Sequence, residues 1–370
     1  MDLPFLMLVV MLSIIGLVMM FSASYASALN DADTGYNAAY YFMRQGLFAV
    51  LGMALMLLIS RFNYQFFRPL AVPLMAVSVV LLILVLIIGV ERNAAKRWIV
   101  LGSFQFQPSE IAKLAVIVCF AAMISVYKDR MKTFRYGVLP FAAILGVISF
   151  LMYLEPHLSG TVLILGVGGA LMFVGGVHWG WFAGLLGAGG LGVYMALTTD
   201  FLGRVLPYAM RRIEIWRDPF LDRQGSGYQA IQSLYAIGSG GAFGLGLGKS
   251  RQKYLYLPEE HNDFVFAIVC EELGLIGACI VLLLFAVLIL RGYWIAIHAR
   301  DRFGSLMVTG ITTLLAMQTF FNVAVVTNLI PVTGMSMPFF SYGGTSLLIQ
   351  LMEMGIVLAV SRQIPAPKSG

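Results

Sequence analysis

Residues 257–274, LPEEHNDFVFAIVCEELG, decide what kind of chain this is. The first half carries Glu259, Glu260, His261 and Asp263, and the second half opens an apolar run of helix length. Three carboxylates and a histidine therefore stand where a long polar loop ends and a membrane span begins. Charge is costly there, and an ionisable group at such a border is a functional candidate by default. The rest of the chain agrees with a membrane setting. Of 370 residues, 60% are hydrophobic and only 11% charged, and the mean hydropathy of +0.87 excludes a soluble globular domain.

A bilayer core of roughly 30 Å needs about 20 apolar residues per helix. Runs of that kind fall near 3–26, 42–60, 70–90, 109–127, 137–154, 160–177, 179–197, 264–290, 304–327 and 343–361. The expectation is an all-α, polytopic single domain over 1–370, with about ten transmembrane helices and a long extracytoplasmic loop, 198–262, between the seventh and eighth. The first run lacks a basic leader segment and reads as an ordinary first helix. Cys119, Cys270 and Cys279 all fall inside apolar runs, as buried small hydrophobes do.

Basic residues resist translocation, so their loops mark the cytoplasmic side. Arg61 and Arg68, Lys128 to Arg135, Arg291 to Arg302, and Arg362 with Lys368 fall on one side, which places both termini in the cytoplasm. Asp31, Asp33, Glu91, Glu155 and the 198–262 segment fall on the other. Arg92, Lys96 and Arg97 run against this trend, and a basic cluster on the outer face calls for an anionic partner. The long loop interleaves Arg211, Arg212, Arg217 and other cations with Trp216, Tyr228, Tyr254 and Tyr256. Against a membrane that pattern suits lipid headgroups or a polyprenyl pyrophosphate better than nucleic acid. Its Gly-rich stretch 238–250, GSGGAFGLGLGKS, fails as a phosphate loop because Phe243 stands where the motif needs glycine. Gly238 to Gly248 instead reads as backbone built for close packing.

Three further clusters carry charge into or beside spans. Pro108 suits the first turn of a helix, on which Glu110 and Lys113, three apart, can pair; such a pair marks either a polar cavity or a structural ion pair. Glu155, Pro156 and His157 interrupt the run between the fifth and sixth spans. Glu271, Glu272 and Glu353 lie deeper, and at least one is expected to face a polar cavity.

Three stretches together carry a family resemblance. They are RWI at 97–99 with QPSEIAK at 107–113, the segment 227–277 containing SRQKYLYLPEEHNDF, and PVTGMSMPFFSYGGTSL at 331–347. On these the chain resembles the SEDS family (shape, elongation, division and sporulation), polytopic peptidoglycan glycosyltransferases that include FtsW, RodA and SpoVE. It is nearer the FtsW and SpoVE branch. The family commonly has an acidic residue after Glu-Pro in the fifth loop, where this chain has His157, so Glu155 inherits only part of that motif's weight.

The resemblance implies polymerisation of lipid II at the outer face of the bacterial cytoplasmic membrane, with inversion at the anomeric carbon and undecaprenyl pyrophosphate as leaving group. Asp263 matches the family's catalytic aspartate and is the expected general base. Pyrophosphate already leaves well, so a second carboxyl acting as acid is not required. Arg97, Arg211, Arg212, Arg217 and Lys113 are candidates to hold it. Trp98 suits sugar stacking or interfacial anchoring, and Glu110, Glu155, Glu259 and His261 complete the candidate substrate site. The outer carboxylates are compatible with a divalent cation, magnesium or manganese. The implied partners are lipid II, a class B penicillin-binding protein supplying the transpeptidase, and other division or sporulation proteins. Two other readings stay open: a lipid II flippase or other transporter, and a division scaffold without chemistry.

Overall fold

The computed structural model describes residues 1–92, 95–101, 104–184, 187, 213–225 and 227–364. In lipid, backbone polar groups must be satisfied within the segment, which makes apolar runs helical. The chain forms α1 (Leu3–Asn30), α2 (Tyr40–Ile59), α3 (Ala71–Ile88), α4 (Pro108–Tyr127), α5 (Leu139–Leu154), α6 (Leu158–Val174), α7 (Tyr228–Gly240), α8 (Val265–Ile297), α9 (Arg302–Val326) and α10 (Gly344–Ser361). Among the described residues, eight of these are long and apolar enough to cross a membrane, and α6 is a shorter apolar helix of 17 residues. The expected span 179–197 lies largely outside the described residues, as do 198–212 of the long loop.

Helices α4, α9 and α10 bury most of their surface inside the bundle, whereas α2 and α3 turn mostly outward. The start of α1 and the end of α10 meet at one end. There the Asp2 carboxylate caps α1, accepting from Phe5 N at 2.9 Å, and pairs with Arg291 at 2.8 Å, while Asp2 N donates to Ser361 Oγ at 3.0 Å. The same end holds the α8–α9 link, where Tyr64 donates to Asp301 at 2.6 Å and Arg302 donates to the Gly175 carbonyl at 2.7 Å. The candidate residues gather at the opposite end.

Two elements depart from the sequence expectation. Between α3 and α4 lies a small antiparallel sheet of β1 (Val90–Arg92), β2 (Ala95–Leu101) and β3 (Phe104–Phe106), in the order β1-β2-β3. Val90 faces Trp98 across a register irregularity, and Ile99 faces Phe106. The long loop is not all loop either: α7 lies within it, and its buried Ser233 donates to the Val326 carbonyl at 2.7 Å. Cys279 is also a correction. Cys119 and Cys270 are buried as expected, but Cys279 is exposed on the outside of the bundle.

Helix α8 breaks at Gly274, whose φ of 68° and ψ of −173° leave the helical region. A break inside a membrane helix frees backbone groups that need partners. The glycine-rich stretch supplies them: Leu245 N and Gly246 N donate to the Glu271 and Glu272 carbonyls, both at 3.0 Å, and Leu275 N and Ile276 N donate to the Gly241 and Ala242 carbonyls at 2.9 and 3.1 Å. Gly244 and Gly274 touch backbone to backbone. A Cβ on Gly244 would lie 2.6 Å from Gly274 N, and one on Gly274 would lie 2.6 Å from the Ala242 carbonyl oxygen. This is the close packing that the composition of 238–248 suggested.

Glu271 and Glu272 do not line the polar cavity, so the expectation that at least one of the three deeper glutamates faces it is met by Glu353. The adjacent pair points at loop 248–253 instead. Glu272 accepts from Gly248 N (2.9 Å), Ser250 N (3.2 Å), Ser22 Oγ (2.7 Å) and the buried Lys253 ammonium (3.0 Å). Glu271 accepts from Arg251 N (2.9 Å), Gln252 N (3.3 Å) and the Ser250 hydroxyl. Two adjacent carboxylates can serve one loop because a loop, unlike a helix face, wraps around both. Glu353 keeps to the expectation and lines the cavity from α10.

Candidate active site

A cavity of about 580 Å³ opens at the end opposite the start of α1 and the end of α10. Its walls come from α2, β2, the start of α4, the Glu155–His157 turn, the 259–263 loop and a strap of residues 334–343 between α9 and α10. The strap and the 259–263 loop are bonded along their length. Tyr342 N donates to the His261 carbonyl at 2.8 Å, and Ser341 Oγ donates to the Asn262 carbonyl at 2.6 Å. From α9 the fully buried Asn322 donates to the carbonyls of both Asp263 (2.8 Å) and Met335. From α2 the buried Gln45 holds the other end of the strap, donating to the Ser341 carbonyl at 3.1 Å and accepting from Gly343 N at 3.2 Å. The strap is therefore fixed by buried amides, which turns its backbone into a rigid wall.

Asp263 stands half-buried in this frame, immediately before α8. Burial and the neighbouring Glu259 carboxylate push its pKa up to about 6, against the opposing pull of Arg97 and His261. Gly334, with φ of 62°, packs its bare Cα against the carboxylate, and a Cβ there would sit 3.1 Å from Oδ2. Glu259 holds a left-handed backbone, φ 57°, and accepts from the Asn262 amide; such strain in a non-glycine residue clusters at functional sites. Glu260 turns away from the cavity, accepting from Ser27 of α1. The His261 ring stacks on Tyr41 at 4.7 Å, which sets the aromatic rim of the mouth.

The cations enter from two other walls. Strand β2 brings Arg97, which donates to the Pro156 carbonyl, and Trp98. Pro108 occupies the first turn of α4, as its position suggested, and one turn on the buried Lys113 pairs with Glu110 at 2.7 Å. Behind Arg97 the Glu155 carboxyl is buried with neither oxygen hydrogen-bonded, and burial lifts its pKa to about 8 in spite of Arg97. His157 does line the cavity, and burial, reinforced by Arg97 and Lys113, drives its pKa down to about 3.

The cavity thus brings together Asp263, Arg97, Trp98, Glu110, Lys113, Glu259 and His261. Glu155 sits just outside the lining. Arg217 is exposed and does not line the cavity; its neighbour Trp216 instead donates to the Asn328 carbonyl at 3.0 Å. Arg211 and Arg212 lie outside the described residues. The sequence reading passed over Arg44, Tyr41 and Gln318, all of which line the cavity. For Arg44 a signal existed, since it is a cation inside an otherwise apolar span. Among the described residues no three His, Cys, Asp or Glu side chains come together to hold a metal ion. The arrangement offers a cavity-lining carboxylate, Asp263, able to take a proton near neutral pH, beside cations suited to an anionic group.

Comparison with known proteins agrees. The chain matches the FtsW/RodA/SpoVE family of cell cycle proteins over residues 3–365. It is 42% identical to stage V sporulation protein E of Bacillus subtilis, over 98% of this chain and 97% of that one. It is 39% identical to a probable peptidoglycan glycosyltransferase FtsW of Geobacter sulfurreducens, over 98% and 95%. A solved chain from a peptidoglycan synthase complex superposes with a TM-score of 0.80 at 30% identity, covering 98% of this chain and 97% of the other. The crystal structure of the rod shape determining protein RodA of Thermus thermophilus superposes with a TM-score of 0.71 at 28% identity, covering 99% and 98%. With its ten described helices, its cavity and its three signature stretches, the chain belongs to the FtsW/RodA/SpoVE family.

Proposed function

We propose that this protein is a peptidoglycan glycosyltransferase that polymerises lipid II at the outer face of the cytoplasmic membrane. Both termini and the basic loops would lie in the cytoplasm, and the cavity would open outside. The hydroxyl of an acceptor GlcNAc attacks the anomeric carbon of a donor MurNAc and gives its proton to Asp263, while the bond to undecaprenyl pyrophosphate breaks with inversion. Arg97 and Lys113 stabilise the negative charge that develops on the pyrophosphate. The observation that carries this reading is the Asp263 carboxyl itself, half-buried in a polar cavity and pushed up to about 6, where it is ionised yet basic at neutral pH. A class B penicillin-binding protein would supply the cross-linking partner. The described carboxylates make no cage for a magnesium or manganese ion; a requirement for one would therefore be carried chiefly by the pyrophosphate oxygens.

The test is polymerisation of fluorescent lipid II by the purified protein, alone and with its partner. Asp263→Asn keeps size and hydrogen bonding but cannot accept the proton, and should lose about 10² to 10⁴ in rate while still binding lipid II. A flippase would keep its transport in that variant, because lipid movement needs no base at the cavity mouth. Glycan synthesis by Asp263→Asn at the parent rate would dismiss the assignment.

A further inference from the structure

At the end of the molecule away from the cavity, the turn between α4 and α5 reads KDRMKTFR over residues 128–135, four cations and one acid in eight residues. It joins two membrane-length helices directly, so it stands at the bilayer surface. Lys128, Arg130, Lys132 and Arg135 are all exposed, and among the described residues none of them makes an ion pair or donates a side-chain hydrogen bond. Arg130 and Arg135 both lie against Tyr136, at 5.5 and 6.0 Å from its ring centre. Two guanidinium groups thus share one ring with no counter-charge between them. Other cations at this end are used by the fold, since Arg291 pairs with Asp2 and Arg302 donates to the Gly175 carbonyl. One cation suits a helix C-terminus, which accounts for Lys128 and leaves three without a structural task.

The turn is held firmly. Met131 is buried beneath it, and Gly137 packs so close that a Cβ there would stand 2.8 Å from the Met131 carbonyl carbon. Thr133 Oγ1 donates to the Arg130 carbonyl at 2.7 Å, and Gly137 N donates to the Thr133 carbonyl at 2.8 Å. Lys128 itself holds a φ of 47°, a strained backbone that persists only where the surroundings fix it. Aromatic rings stand beside these cations. Phe134 and Trp181, from the segment after α6, lie 4.9 Å apart and are both exposed. Exposed aromatics at this level belong among lipid headgroups and the first carbons of their chains.

We propose that the 128–135 turn, with Phe134 and Trp181, is a binding site for an anionic phospholipid. Its phosphate lies among Arg130, Lys132 and Arg135, whose guanidinium groups match phosphate oxygens, and its acyl chains run past the ring pair. An acidic peptide would answer the cations but leave the rings uncovered. The site is separate from the catalytic cavity, and only its assignment to the cytoplasmic leaflet rests on the orientation proposed above.

The experiment is native mass spectrometry of the delipidated full-length protein in neutral detergent, titrated with phosphatidylglycerol or with phosphatidylcholine of the same acyl chains. A cation near a membrane surface is worth about fivefold in affinity, so phosphatidylglycerol should bind at least about tenfold more tightly than phosphatidylcholine. Equal binding of the two lipids would overturn the site. The combined variant Lys128→Gln, Arg130→Gln, Lys132→Gln and Arg135→Gln should lose that preference. A control with Arg61→Gln, Arg68→Gln, Arg300→Gln and Arg362→Gln removes the same charge from exposed positions at the same end and should stay within about threefold of the parent. Equal losses in the two variants would reduce the effect to the general field of a basic surface. Where the fourfold variant does not fold, Arg130→Gln with Arg135→Gln decides, with an expected loss of about tenfold. Phe134→Ala with Trp181→Ala should weaken phosphatidylglycerol binding by about threefold or more, and parent affinity there would remove the rings from the site. A polyglutamate peptide that displaces phosphatidylglycerol and binds more tightly would replace the lipid with a protein partner.

Discussion

Asn322 and Asp263 lie 59 residues apart in sequence, yet the Asn322 amide donates to the Asp263 backbone carbonyl at 2.8 Å and also to that of Met335. One buried side chain thus sets the distance between the base-bearing loop and the strap that faces it. Asn322→Ala should leave two carbonyls unpaired, at about 1 to 3 kcal/mol each, and should lower kcat more than it raises KM because the base is displaced while the lipid still binds. Thermal unfolding alongside steady-state polymerisation checks this. A kcat unchanged in a variant of lowered stability would show that Asn322 serves the fold alone.

The raised pKa of Asp263 fixes the sign of the pH dependence. The base is active when deprotonated, so kcat/KM should climb about tenfold per pH unit below about 6 and level off above it. Glu259 contributes to the upward shift, so Glu259→Gln should move the acid limb to lower pH, and Arg97→Gln, which removes an opposing cation, should move it to higher pH. Profiles between pH 5 and pH 8, each for a folded variant, give the comparison.

Lys113 and Glu110 form a pair with little solvent, 5% and 16% exposed at the side chain. Removing either partner strands a buried charge, a loss of about 3 to 5 kcal/mol in soluble proteins. If Lys113 also touches phosphate, Lys113→Ala should lose more activity than Glu110→Ala at comparable folded yield. Equal activity losses tracking equal losses of folded protein would reduce the pair to a packing role.

The Lys253–Glu272 pair should behave unlike an isolated buried ion pair. Replacing both partners of such a pair by apolar residues is often harmless. Here Glu272 also serves Gly248 N and Ser250 N, so the double variant Lys253→Met with Glu272→Leu should remain destabilised, its loop amides left without an acceptor. A double-mutant cycle read by thermal unfolding measures it, and full recovery in the double variant would contradict this account.

Orientation is open to direct labelling. Single cysteines at the exposed positions Asp33, Lys96 and Gln224, in a background without the three native cysteines, should react with an impermeant maleimide on intact cells, and one at the exposed Lys132 should not. The reverse pattern would invert the molecule and place the cavity in the cytoplasm.

The eight long spans and the shorter α6 were legible because length and hydropathy suffice to define a membrane helix. So was the Glu110–Lys113 pair, since spacing on a helix fixes contact. The sheet at 90–106 was not, because strands of three to seven residues between two apolar helices carry too little pattern to separate from a loop. The strap at 334–343 served as a family signature, yet its contribution is mostly backbone, and sequence does not reveal which carbonyls a distant Asn322 or Gln45 will take. Which of Glu271, Glu272 and Glu353 faces the cavity was not legible, because the partners of Glu271 and Glu272 are loop amides, invisible to any reading based on charge and helical phase.

The contact between Gly244 and Gly274 has an evolutionary consequence. A side chain at either position strikes the other's backbone, and both carry a positive φ, so a change at one cannot be rescued by a change at the other. Substitution there has no compensatory route. Drift in this lineage should flow around the two positions and leave them jointly constant without covariation, so methods that find contacts from correlated change would miss this one.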